Sequence, residues 1–407
     1  MARSLGLPKR AVEFSLFLLC LCLPVSIAGA NISWGVLLAS LLAYRAAGGP
    51  VAFRAHRSVL EWPLGIYLGV AVLTAALGVD PGNSFRHIYQ DVHKLWLYLL
   101  FSVALATEPA PKAILAMAAG FSIVCLTGLL QVHWNYCLLQ KWTRAQGFVH
   151  AVTFGEQVCI AVLGAVCFLV EPPEFLKSRN ARLLSWTFLV LALMALFLSQ
   201  TRGAILSMVA GAAAIALLTP KLRRFLVLAL LVTAASWYFA NSVRYANPLR
   251  RDLQTYLASG SIYTQGPFAR LRLWSVALCM GRDHPWTGVG LNNYRVVLPQ
   301  YLQTTFEDLN TTWGTAHNLY LHQFAERGIL GLAALLWLLG AFWWRAYQRV
   351  KEKPEAWNLW AYGTATAFLF MNLTEVALQV EILWMLVFFV WIWAEVRHQG
   401  MQEGSSG

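Results

Sequence analysis

Charge is what this chain of 407 residues has little of: Asp, Glu, Lys and Arg together make only 12% of it, about half the share usual in soluble proteins. Length alone would suggest two or three water-soluble domains. So few charges cannot clothe them, because hydrophobic residues make up 58%. Paired cysteines are missing as well. The seven Cys form no Cys-x-x-Cys pair, and Cys20, Cys22, Cys125, Cys159 and Cys167 sit inside apolar runs. Neither a disulfide framework nor a zinc site is indicated. There is no internal repeat and no low-complexity tract. No basic run interleaved with aromatics appears, so the net charge of +12 does not point to nucleic acid. Lysine is scarce, 8 against 23 arginines, and only arginine forks onto phosphate oxygens. An Asp-x-Asp element, a common handle for a divalent metal, is also absent.

What remains is an expected all-α, polytopic membrane protein. A span needs about 20 mostly apolar residues. Twelve runs qualify or nearly so: 11–29, 31–47, 62–79, 94–107, 112–131, 150–170, 182–200, 203–219, 224–241, 324–344, 356–374 and 378–396. The fourth is short. Arg3, Lys9 and Arg10 precede the first run, which reads as a retained helix. The Lys and Arg bias of short loops sets orientation. With the N-terminus inside, 18 of the 31 basic residues are cytoplasmic, Arg45, Arg54 and Arg57, Lys177 to Arg182, and Arg345 to Lys353 among them. Seven of the others lie in one long outer loop, and long loops cross regardless of charge.

The expected divisions are therefore helices 1–9 over 1–241, a periplasmic loop over 242–316, the last helices over 317–398 and a tail over 399–407. The tail ends in Gly404-Ser405-Ser406-Gly407, which reads as a cloning remnant. The loop contains seven Arg, no Lys and four acids, Asp252, Asp283, Glu307 and Asp308. Its apolar spacing from Pro267 to Met280 predicts one amphipathic helix, and a second runs from Leu291 to about Gln303. Between them the Pro and Gly content of Asp283 to Gly290 predicts a turn.

The stretch Ala316 to Leu332 carries the strongest signal. At 100 degrees per residue, a continuous helix would place His317, Gly328 and Gly331 on one face. Small residues there admit a neighbouring helix. His317-Asn318, nine residues, Gly328-Ile329-Leu330-Gly331 matches the motif of the O-antigen ligases, and the chain resembles that family within the larger ligase/polymerase group. Two more patches are similar: Arg202-Gly203-Ala204, and Arg270-Leu271-Arg272-Leu273-Trp274 followed by Pro285-Trp286-Thr287-Gly288-Val289-Gly290.

The resemblance implies a GT-C-like glycosyltransferase of the bacterial inner membrane with its active site on the periplasmic side. It would move an O-antigen glycan from undecaprenyl diphosphate to a sugar hydroxyl of lipid A-core. The residue chemistry is compatible. A hydroxyl is a weak nucleophile, and a neutral imidazole, His317, can take its proton near neutral pH. A departing diphosphate needs cations, and Arg202 and Arg270 could grip it bidentately. One base and one departing diphosphate suit a single inverting displacement without metal or other cofactor. Asn318, Gly328, Gly331 and Arg272 read as supporting residues. His322 points off the His317 face and reads as structural. Glu326 and Arg327 read as ties to a neighbouring helix, Glu307-Asp308 as a solvated pair, and Glu375 and Glu381 are assigned no role. The nearest rivals are an O-antigen polymerase and a protein O-oligosaccharyltransferase using the same donor. A transporter of that lipid would instead show repeats, broken helices and charges at the membrane midplane.

Overall fold

In the computed structural model, which describes residues 2–51, 60–140, 143–239, 267–305 and 314–405, every regular element is a helix. In chain order these are α1 (Ala2–Cys22), α2 (Ile27–Ala46), α3 (Glu61–Ala76), the short α4 (Pro81–His87), α5 (Tyr89–Thr107), α6 (Ala113–Leu139), α7 (Ala151–Val170), α8 (Arg179–Ser199), α9 (Arg202–Leu218) and α10 (Arg223–Phe239). After them come α11 (Pro267–Asp283), α12 (Tyr294–Thr305), α13 (Leu319–Glu352), α14 (Ala356–Met371) and α15 (Glu381–Ser405). Five of these, α2, α6, α7, α8 and α13, are long and apolar enough to cross a membrane. An all-helical chain of this composition is the form a polytopic membrane protein must take, since lipid offers the backbone no hydrogen bonds.

Each of the twelve apolar runs falls on a helix, with shifted ends. The short fourth run begins at Tyr89 rather than 94, and the tenth extends over 319–352 rather than 324–344. The two loop helices and the turn between them lie where the apolar spacing puts them. The loop's 242–266 and 306–313, with Asp252, Glu307 and Asp308, fall outside the described residues, as do Arg54 and Arg57 of the loop after α2 and the last two residues of the tail.

Local chemistry sets the ends. Ser26 Oγ accepts from Gly29 N at 3.1 Å to start α2, and Ser178 Oγ from Ala181 N at 3.2 Å to start α8. Helix α8 stops at Gln200, which turns left-handed at φ 51°. The centre of the bundle is α14 and α15 with α7 against them. Their apolar faces are buried nearly all round, Leu359, Ala361, Phe389 and Trp393 at 0% exposure. Close approach is made with small residues: a Cβ on Gly211 of α9 would lie 2.7 Å from the carbonyl oxygen of Gly363 on α14.

The expectation of one continuous helix from His317 through Gly331 is overturned at both ends. His317 lies outside α13, with a left-handed backbone at φ 48°. The helix starts after it because Asn318 caps it, its Oδ1 accepting from Leu321 N at 3.1 Å. Gly328 then interrupts α13 with φ 60°, ψ −159°. The 285–290 turn fills the interruption. Ile329 N donates to Pro285 O at 2.8 Å, Val289 N to Ala325 O at 2.9 Å and Gly290 N to Glu326 O at 2.9 Å. A Cβ on Gly328 would lie 2.3 Å from Trp286 backbone, and one on Gly288 2.3 Å from Glu326 backbone. The two glycine motifs are thus the halves of one backbone-to-backbone joint. Gly331 belongs to it, since a Cβ there would lie 2.0 Å from Arg327 Cβ.

A broken helix and buried charges are both present, features the sequence reading reserved for a transporter. Protein fills the break, so its backbone groups are satisfied without a substrate. The charges are paired. Arg327 Nη2 lies 2.6 Å from Asp91 Oδ2, and Lys94 Nζ 3.2 Å from Asp91 Oδ1, with all three residues at most 6% exposed. Glu326 holds Tyr294 N at 3.3 Å and His322 at 3.5 Å.

Candidate active site

The N-terminal ends of α7, α9 and α13 meet the turn between α14 and α15 around a polar cavity of about 730 Å³. Arg144, Glu156, Arg202, Arg270, His317 and Glu375 line it. The turn is folded by Asn372, whose Oδ1 accepts from Leu378 N at 3.2 Å and whose carbonyl accepts from Leu319 N at 2.9 Å. Asn318 Nδ2 adds a bond to Leu373 O at 3.0 Å. The start of α13 is therefore locked to the turn, and His317 and Glu375 are brought face to face.

His317 Nδ1 donates to Glu375 Oε2 at 2.8 Å. That bond assigns the ring proton to Nδ1 and makes Nε2 the basic nitrogen. Arg270, at the start of α11, takes the other oxygen, Glu375 Oε1, through Nη2. One carboxylate thus holds both the imidazole and the guanidinium that the sequence singled out. Glu375, 14% exposed at its side chain, was assigned no role in the sequence reading. An acid between two apolar runs looks like an ordinary loop residue, and nothing in linear spacing ties it to position 317.

Arg202 opens α9, beside the N-terminal backbone amides of that helix, where the helix dipole favours an anion. Gly203 lets this end approach the turn, since a Cβ there would meet Thr374 Oγ1 at 2.7 Å. Arg144 also went unnoticed. It braces the same end, donating from Nε to Ser199 O and from Nη2 to Thr201 Oγ1, both at 2.7 Å. Glu156 of α7, only 2% exposed, is close enough to Glu375 and Arg270 to feel both charges. Its signal was available: an acid inside an apolar run is expensive and marks a functional site by default.

The remaining sequence candidates lie elsewhere. Arg272 is 8% exposed and away from the cavity walls. His322 packs edge-on against Tyr294, ring centres 5.0 Å apart. Gly328 and Gly331 serve the joint described above. Among the described residues no group of three or more His, Cys, Asp or Glu could hold a metal ion.

Residues 187–336 match the model of the O-antigen ligase family. The match takes in Arg202, Arg270 and His317, but Arg144, Glu156 and Glu375 lie outside it. No curated protein matches the chain. Over that segment the chain is similar to the O-antigen ligases, with Arg202, Arg270 and His317 of the matched residues at one cavity, and its long apolar helices indicate a membrane protein.

Proposed function

We propose that this protein transfers a finished O-antigen glycan from undecaprenyl diphosphate to a sugar hydroxyl of lipid A-core, at the periplasmic face of the inner membrane. The observation that carries the reading is the His317–Glu375–Arg270 constellation in a cavity that also holds Arg202 and Arg144. Twelve helices, α1–α3, α5–α10 and α13–α15, span the membrane in a GT-C-like arrangement, and the loop helices α11 and α12 roof the site.

His317 Nε2 accepts the proton of the acceptor hydroxyl as its oxygen attacks the anomeric carbon. The bond from that carbon to the diphosphate oxygen breaks, and its electron pair leaves with the diphosphate. Arg202 and the first amides of α9 face the developing charge, with Arg270 and Arg144 nearby. Glu375 holds the imidazole in its working tautomer and stabilises the imidazolium once the proton arrives. A single displacement inverts the anomeric carbon.

The test is reconstitution with lipid-linked glycan and lipid A-core, scored for a ladder of capped product. Longer lipid-linked chains without capped core would make the protein a polymerase. Chelator that abolishes transfer, with magnesium or manganese restoring it, would remove the arginine-only account of the leaving group. Single cysteines at Ser261 and Glu352 of a cysteine-free variant test the topology. An impermeant thiol reagent should label position 261 and spare position 352.

A further inference from the structure

Gln379, Val380 and Glu381 are consecutive, yet they line different cavities. Val380 faces the reaction cavity, while Gln379 and Glu381 belong to a second one of about 560 Å³. The α14–α15 turn is the wall between them. The ends of α2 and α5 complete the second cavity with Asn31, Tyr89, Gln90 and Trp96. Its volume lies in the range of small-ligand sites, roughly 300–1,000 Å³.

The chemistry of the two cavities differs. The reaction cavity gathers three arginines against two carboxylates. In the second, the charges are answered by protein. Lys94 is held by Asp91 at 3.2 Å. Glu381 accepts from Asn31 Nδ2 at 3.0 Å and faces His93 Nδ1 at 3.8 Å. What is left over is uncharged: the side-chain amides of Gln90 and Gln379, which bond to no described residue, and the flat rings of Tyr89 and Trp96, 60% and 42% exposed. An amide both donates and accepts, as a sugar hydroxyl does. An exposed aromatic face presents the negative side of its quadrupole to the weakly positive C–H face of a pyranose. A phosphate would find no spare cation there.

We propose that this second cavity is a saccharide subsite that holds the acceptor glycan, with the α14–α15 turn, which carries Glu375, as the partition its reacting hydroxyl must reach around. The inference rests on the transferase reading for the word acceptor, but its test needs neither donor nor turnover. A core oligosaccharide freed of its lipid is titrated into the purified protein and binding is read by calorimetry. Gln90→Ala combined with Gln379→Ala should weaken binding by about tenfold, the effect of two lost hydrogen bonds, and Tyr89→Ala should weaken it separately. Both variants should keep the thermal unfolding midpoint of the parent. In the transfer assay they should raise the acceptor KM and leave the donor KM within twofold. Unchanged oligosaccharide affinity in both folded variants overturns the proposal. So does no detectable binding by the parent at millimolar oligosaccharide. A phospholipid retained by the parent in native mass spectrometry and lost from the variants, with oligosaccharide affinity unchanged, would make the cavity a lipid headgroup site instead. Failure of the transferase reading would show separately, as missing capped product.

Discussion

Two acid–base clusters of similar composition sit in this molecule, and they are built to opposite ends. At Asp91 and Arg327 the charges are sealed in, with Arg327 also over the Tyr67 ring at 4.8 Å and Lys94, at the edge of the second cavity, held against Asp91. At His317, Glu375 and Arg270 the groups are paired too, but they line an open cavity, with His317 26% and Arg270 34% exposed at the side chain. Pairing is common to both. Access separates them, and access is what a reacting group needs.

The largest effect is expected at His317. His317→Ala should insert normally and bind lipid-linked donor, yet transfer should fall by about a hundred- to ten-thousandfold, the usual contribution of a positioned base. The parent rate should be higher at alkaline than at acid pH, since a base works neutral. A rate that falls instead would recast His317 as a cation for the diphosphate, and near-normal transfer by the alanine variant would end the mechanism altogether.

Arg327→Met probes the sealed cluster and should cost up to about 3 kcal/mol of stability, because buried Asp91 loses one of its two cations and keeps only Lys94. Thermal unfolding in detergent measures it. Transfer per folded molecule should change little, and a large loss of rate at parental stability would erase the contrast between the clusters.

Glu375→Gln keeps the shape of the site and removes the charge that holds His317 and Arg270. A drop of about ten- to a hundredfold in kcat is expected, the worth of a hydrogen bond to a charged group. Donor KM should move less than kcat, which separates positioning from binding. The smallest effect is expected for Arg202→Lys, which keeps the charge but loses the fork. A severalfold rise in donor KM would register it, while parental kinetics would remove Arg202 from the diphosphate.

Much of this was legible in one dimension. Apolar runs of span length announce helices whatever they pack against, and Arg202, Arg270 and His317 stand in motifs. The error at His317 came from extending helical periodicity across two residues that stop it. Asn318 is a capping type and Gly328 a breaker, and both cues were visible, but the turn that enters the break lies some 40 residues upstream. Glu375 was illegible for a different reason. Its partners come from α11 and from His317, just before the cap of α13, and only the fold around Asn372 makes them neighbours.

The joint at Gly328 has a consequence for how substrates arrive. Five backbone hydrogen bonds stitch the 285–290 turn to its neighbours: Val79 N to Val289 O, Val289 N to Ala325 O, Gly290 N to Glu326 O, Ile329 N to Pro285 O and Leu330 N to Trp286 O. At about 1 kcal/mol each, lifting this part of the roof would leave roughly one molecule in several thousand open at any moment. A gate so rarely ajar would throttle traffic of bulky glycans. This edge is therefore masonry, and on the proposed function a lipid-linked glycan is expected to enter elsewhere, from the plane of the bilayer.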